Sequence, residues 1–305
     1  MKEAEAKFTT AIRTALGRIP FRDLNEPLYH FTDSVGLDGI LRTRSLWASL
    51  ATSLEDSSEI EYALSRASNM LDRGNLTGDP YFLRQVVRFL DPQKSETIHT
   101  LGMKTYVVCF RTGVDEHAHW DSYGRSGTGC AITFGLKDLI IPGILAFPVL
   151  YDPTSQDVLL RVYVEHSAQL FHDLAKRCTT KVEIVRLRER AIQWTALGVW
   201  MLAPAMKAPS FAGESEWRII VTDMENVAVE YGDGMSREVR IRQLGSRTIP
   251  YKVLKYEKLP IAQLQLGTDC PIREDDLDLK RRLSEAVGGF DVPIVRSGGS
   301  LIDTD

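Results

Sequence analysis

The sequence predicts an α+β fold, and two observations carry that reading. Strand-like runs rich in β-branched and aromatic residues fall in two batches, and a helical stretch over about 156–203 separates them. Two batches of strands around a helical insertion favour an α+β domain over a doubly wound parallel sheet.

The elements follow in order. Phe8, Ile12, Leu16 and Ile19 recur at helical spacing, so the segment 1–26 reads as an amphipathic helix stopped by Pro20. A body over 27–270 begins with the strand "LYHF", the helix "SVGLDGILR" and the short strand "LWAS". Helical patterns "SSEIEYALSRASNML" and "YFLRQVVRFL" follow on either side of the breaker "RGNLTGDP". "TYVVCFR" and "GCAITF" read as strands around a polar, aromatic-bearing loop, and Pro148 in "ILAFPVLYD" places a third strand at an edge or a bulge. In the insertion, Val158, Leu159, Val162, Leu170 and Leu174 form one stripe, and "VEIVRLRERAIQWTALGVWMLAPAM" is a second helix ended by Pro204, which predicts a hairpin. Within it Trp194 and Trp200 cannot fully share a helical face, so one is expected in the core and the other at its boundary. "ESEWRIIV", "VAVEY", "EVRIR", "TIPYKVLKY" and "IAQLQLG" complete the second batch of strands, and 271–305 carries a charged helix, a short strand and a tail.

Composition narrows the function classes. A formal net charge of -4 gives no general electrostatic reason to bind nucleic acid, although a local basic patch can still do so. Cys109, Cys130, Cys178 and Cys270 are far apart and form no close ligand pair, so no zinc site is expected and a reduced, cytoplasmic setting fits. No run reaches the length of a bilayer-crossing helix, so no membrane partner is expected. In the loop "EHAHWD", Glu116, His117, His119 and Asp121 lack the second cluster a tight metal site needs. "GRSGTG" lacks the G-K-[ST] ending of a phosphate loop, and Cys109 has no neighbouring His to activate it.

Three separated pieces stand out: "LYHFT" at 28–32, "HWDSYG" at 119–124 and "GESEWR" at 213–218. With "GLDGIL", "LWAS", "VVCF", "G-x-A-I-x-F" and "LQLG" in this order, the chain from about Leu28 to Gly267 resembles the DUF2971 family of bacterial and phage proteins. More loosely, the layout is similar to the ADP-ribosyltransferase superfamily: a histidine on the first strand, a later aromatic residue, and a glutamate at the start of a later strand. That resemblance implies a split mixed or antiparallel sheet around an NAD cleft, no bound metal, and NAD consumed as substrate. It further implies a transferase or an NAD glycohydrolase, of the kind that serves as a toxin or phage-defence effector, with ADP-ribose passing to a protein, a nucleic acid or water. The other reading is a non-catalytic module that binds a nucleotide or a protein.

For the transferase, cleavage of the nicotinamide–ribose bond builds positive charge on the ribose, which a carboxylate stabilises. The resemblance assigns that role to Glu216, with Glu214 orienting or deprotonating the acceptor. His30 and Thr32 would hold ribose hydroxyls, Tyr123 or Trp120 would stack on nicotinamide, with Tyr62 competing for that role, and Arg111, Arg125 or Arg218 would face the pyrophosphate. The expectation this leaves for the structure is that His30 and Glu216 share one cleft. The bland alternatives are a structural histidine, a solvated pair of glutamates, aromatic core plugs and a structural Arg–Glu ion pair.

Overall fold

The computed structural model describes residues 27–54, 58–73, 76, 79–90, 103–113, 117–122, 124–140, 145–224, 234–235 and 238–298. The helix read over 1–26, the run "VAVEY", and Tyr123 lie outside these residues.

The fold is α+β, with a mixed, mostly antiparallel open sheet of ten strands and several helices. The strands are β1 (Pro27–Thr32), β2 (Ser45–Leu50), β3 (Met103–Arg111), β4 (Cys130–Gly135), β5 (Leu145–Pro148), β6 (Glu216–Met224), β7 (Arg240–Leu244), β8 (Arg247–Lys255), β9 (Ile261–Leu266) and β10 (Ile294–Arg296). The helices are α1 (Ser34–Thr43), α2 (Glu59–Asp72), α3 (Pro80–Leu90), α4 (His117–Ser122), α5 (Leu136–Leu139), α6 (Pro153–Ala175), α7 (Lys181–Leu202) and α8 (Leu277–Val287). Helix α4 lies inside the segment read from the sequence as a loop.

β3 is the branch point of the sheet. One of its edges pairs with β6 along its whole length, from Met103↔Met224 to Arg111↔Glu216. Its other edge is divided: β2 pairs at Tyr106 and Val107, while β1 pairs at Arg111. The sheet therefore forks, with one arm running β1-β4-β9-β10 and the other β2-β8-β7. Among the described strands, β9 and β10 are the pair that runs parallel. β5 closes the far side on β6, and Pro148 ends it opposite Trp217, where the missing N–H is tolerated on an edge strand.

Alternation along β3 and β6 sends side chains into two apolar layers. Val107 and Ile220 meet α2, α3, α6 and α7 on what we term the hairpin face. Tyr106, Val108, Phe110, Trp217, Ile219 and Val221 meet α1, α5 and α8 on the opposite face. Local signals set the helix ends: Asp33 caps α1 through the Gly36 N–H at 2.6 Å, and Thr180 with Glu183 forms a capping box at α7. Trp194 and Trp200 are both half-buried against the hairpin layer, so neither is the fully buried core residue expected from their spacing.

Candidate functional site

The "E-S-E-W-R" stretch enters the sheet where β6 begins. A short 3-10 turn, Pro209–Glu214, ends at Ser215 in the left-handed region (φ 45°), and the strand starts at Glu216. Glu216 and Arg218 then point to the hairpin face while Trp217 and Ile219 point away. Glu214 is not in the strand, yet its carboxylate returns to the same place, 2.6 Å from Lys207 Nζ and 3.7 Å from Arg111.

Around Glu216 the fold assembles an almost dry ionic network. Arg218 donates to Glu216 Oε2 from Nε at 3.1 Å and from Nη2 at 2.7 Å. The same guanidinium reaches both oxygens of Glu59 at 2.7 and 3.2 Å and the Pro204 carbonyl at 2.9 Å. Lys207 joins Glu59 at 2.7 Å, and Arg111 donates to the Glu214 carbonyl. Glu59, Glu214 and Glu216 are thus matched by Arg111, Lys207 and Arg218, with Glu216 4% and Arg218 3% exposed. Burial pushes the Glu216 carboxyl up, but the guanidinium groups of Arg218 and Arg111 outweigh it and hold it below its ordinary range. Burial opposes the charge on Arg218 as well, and the carboxylates of Glu216 and Glu59 more than offset it, keeping the guanidinium firmly charged. Tyr151 completes the shell, its hydroxyl accepting from the Glu216 N–H at 3.1 Å. The Cys109 thiol is driven far up by burial and by the Glu216 charge, which removes it as a nucleophile at neutral pH.

His30 does not join this network. Tyr29 pairs with Arg111 and shares its face, so alternation turns His30 the other way, beside Ile132 and with its ring centroid 5.7 Å from that of Phe110. The expectation of one cleft holding His30 and Glu216 fails for that reason: they lie on opposite faces of the sheet. His30 instead sits at the fork, where its Nδ1 is 3.0 Å from the Cys109 carbonyl, between the β3 residues that pair with β2 and with β1. Burial lowers its pKa, the Cys109 carbonyl partly compensates, and Arg242 lowers it further, so the ring is neutral at pH 7.

The remaining candidates divide in the same way. Thr32 ends β1, and its hydroxyl occupies the space a Cβ at Gly36 would fill, at 2.0 Å. Trp120 is 5% exposed and edge-on to Phe31 at 5.1 Å, a buried plug and not an open stacking surface. Its neighbour His119 stands between the carbonyls of Gly113 (3.3 Å) and Gly213 (3.2 Å), tying the loops beside β3 and β6 together. Arg125, itself left-handed at φ 49°, is largely exposed and pairs with Asp33 at 2.6 Å. Tyr62 donates to Gln156 at 3.0 Å and lines a polar cleft of about 190 Å³ with Arg66 and Asp157.

The arm β2-β8-β7 carries features that the sequence reading passed over. Trp47 is 41% exposed and stacks on Tyr251 with centroids 4.4 Å apart and planes 23° apart. Arg242 reaches across to Ser49 Oγ at 2.9 Å, with its guanidinium 6.0 Å from the Trp47 ring. The alternation "LWAS" was a strand signal, but its pairing with Tyr251 and Arg242, some 200 positions on, has no local signature.

Among the described residues no group of three or more His, Cys, Asp or Glu is arranged to hold a metal ion, and no helix is long and apolar enough to cross a membrane. No protein-family model matches the chain, and searches of curated proteins and of solved structures returned no significant match.

Proposed function

We propose that this protein is a nucleotide-binding module that recognises its ligand at the forked sheet without transferase chemistry of its own. The observation that carries this reading is the separation of His30 from Glu216 by the sheet, with each network carboxylate already neutralised by a cation. Two guanidinium N–H groups of Arg218 bond Oε2 of Glu216, so the charge an oxocarbenium ion would draw on is already offset by a buried cation. What remains accessible suits recognition: the exposed Trp47 indole, backed by the buried Tyr251 ring, with the half-buried Arg242 guanidinium 6.0 Å from it.

The forked sheet itself supports a second reading, the NAD-dependent ADP-ribosyltransferase or glycohydrolase of a DUF2971-like effector. That chemistry requires Glu216 to leave Arg218 and the sheet to rearrange around His30. Incubating the protein with NAD labelled in its adenosine half, while scoring free nicotinamide and labelled macromolecules separately, decides between the two. The binding module releases no nicotinamide and labels nothing, while NAD or AMP quenches tryptophan fluorescence in wild type and not in Trp47→Phe. Nicotinamide release that Glu216→Gln abolishes, with that variant folded, overturns it.

A further inference from the structure

The arm β2-β8-β7 has a charge distribution unlike that of the whole chain. Its three strands, "SLWASL", "RIRQL" and "RTIPYKVLK", contain Arg240, Arg242, Arg247, Lys252 and Lys255 and not one Asp or Glu, within a chain of formal net charge -4. Register assigns each cation to a face. Ser45↔Lys255, Ser49↔Tyr251, Arg240↔Tyr251, Arg242↔Ile249 and Leu244↔Arg247 are cross-strand pairs, so Arg240, Arg242, Arg247 and Lys255 share one face with Trp47 and Tyr251. Lys252 points the other way and is neutralised by Asp223 at 2.8 Å. The cations of the shared face are therefore set around the aromatic stack.

The helical hairpin does not cover this face. Its apolar layer takes residues from β3, β5 and β6 and, among the described residues, none from β2, β7 or β8. On this face Trp47, Arg240, Leu244 and Lys255 stay exposed over the buried Ser49, Ile249, Tyr251 and Val253, and Arg242 keeps a buried Nε–H with no hydrogen-bond partner among the described residues. Buried unsatisfied donors are uncommon and call for a physical account.

From this arrangement we infer that the β2-β8-β7 face binds single-stranded nucleic acid, with a base stacking on the exposed Trp47 ring, which Tyr251 backs from beneath, and phosphates running along Arg240, Arg242, Arg247 and Lys255. The inference rests on the nucleotide-binding reading and names the ligand as a polymer. Aromatic platforms interleaved with cations recognise single strands in this way, because every base offers a π-face while the backbone supplies regularly spaced charge. An acidic peptide matches the charge alone and leaves the exposed indole without a role. Duplex DNA fits less well, since its bases are already stacked on one another.

The test uses the full chain and a fluorescently labelled 12-nucleotide oligothymidylate, read by anisotropy across a salt series. Neutralising three to four phosphates gives a slope of log K against log salt of about −2 to −3. Trp47→Ala weakens binding on the order of ten-fold, Trp47→Phe retains most of it, and Arg240→Glu with Lys255→Glu weakens it further and flattens the slope. Both reversed positions are exposed, and retention of the wild-type circular dichroism spectrum confirms that the variants fold. Binding of NAD or AMP without measurable affinity for the oligonucleotide overturns the polymer inference and leaves the nucleotide reading standing. Binding of neither overturns both. Equal affinity for a polyglutamate of the same charge, indifferent to Trp47→Ala, overturns the inference in favour of an acidic protein partner.

Discussion

Arg218 holds Glu59 and Glu216 at the same time, joining the first turn of α2 to the start of β6 across 159 positions of sequence. Both contacts are buried, so removing the guanidinium leaves three carboxylates, Glu59, Glu214 and Glu216, to the two cations Lys207 and Arg111 in a nearly dry site. Arg218→Met is therefore expected to lose about 3 to 5 kcal/mol of stability in urea unfolding. Replacing the ion pair as a unit, Glu216→Leu with Arg218→Met, should recover much of that loss, because it removes one charge of each sign and avoids their desolvation. Glu59 and Glu214 then remain matched by Lys207 and Arg111. A double variant less stable than the single one would show that the network contributes more than its own neutralisation.

His30 makes stability depend on pH, and the sign follows from its lowered pKa. Between the folded value and the ordinary value of 6.5, the unfolded chain binds more protons than the folded one. The His30 contribution is thus fully present above pH 6.5 and is lost as pH falls through the folded value, at up to about 1.4 kcal/mol per pH unit. His30→Gln can still donate to the Cys109 carbonyl but does not titrate. Unfolding midpoints measured from pH 7.5 to 5 should fall less steeply in that variant than in wild type. Glu216 behaves alike at lower pH, since its carboxyl is also depressed from 4.5, so acid sensitivity below that value should persist in His30→Gln.

Most of the strands were legible because a half-buried strand writes its period into the sequence. "LYHFT", "TYVVCFR", "GCAITF" and the "EWRIIV" part of "ESEWRIIV" each coincide with an observed strand, on which Glu216 and Trp217 take opposite faces. Which face of β1 met which face of β6 was not legible. That depends on the register of both against β3, and a shift of one residue exchanges the two sides. The partners of Glu216 were hidden for a related reason. Glu59, Tyr151 and Lys207 come from a helix, a loop and a turn, and no local pattern announces that three charged or polar residues so far apart converge. The aromatic stack was half visible: Trp47 alternates correctly in "LWAS", but Tyr251 joins it only through the β2–β8 pairing.

Two tryptophans now carry opposite expectations. Trp120 is buried against Phe31, so Trp120→Ala should cost about 3 to 5 kcal/mol in stability while leaving nucleotide affinity per folded molecule unchanged. Trp120→Phe should be much milder, because the indole Nε1–H has no partner among the described residues. Trp47→Ala reverses the pattern: its exposed ring makes the stability loss small, and binding is where the change appears. Thermal unfolding and equilibrium dialysis against radiolabelled AMP on the same samples separate the two, and a Trp120→Ala variant that stays stable but loses nucleotide would return the ligand to the α4 loop.

The packing of α6 on α7 is set by Gly198. A Cβ built there would lie 1.9 Å from the Tyr163 hydroxyl and 2.3 Å from its Cζ, far inside van der Waals contact. Tyr163 is fully buried, and its hydroxyl donates to the Trp194 carbonyl at 3.1 Å, so the ring has no free space to yield into without losing that bond. Gly198→Ala gains roughly 1 kcal/mol of helix propensity, as any mid-helix glycine would. Overpacking costs typically 1 to 3 kcal/mol, and breaking the hydrogen bond of a buried hydroxyl adds about 1 to 3 kcal/mol. The clash outweighs the propensity, so Gly198→Ala should be destabilising by a net of about 1 to 5 kcal/mol, measured by chemical denaturation. Gly198→Ala combined with Tyr163→Leu removes the colliding ring, so the alanine should then cost less than it does in the wild-type background, whatever the absolute stability of the pair. Since the hairpin layer takes no residue from β2, β7 or β8, neither change should alter oligonucleotide affinity measured on folded protein.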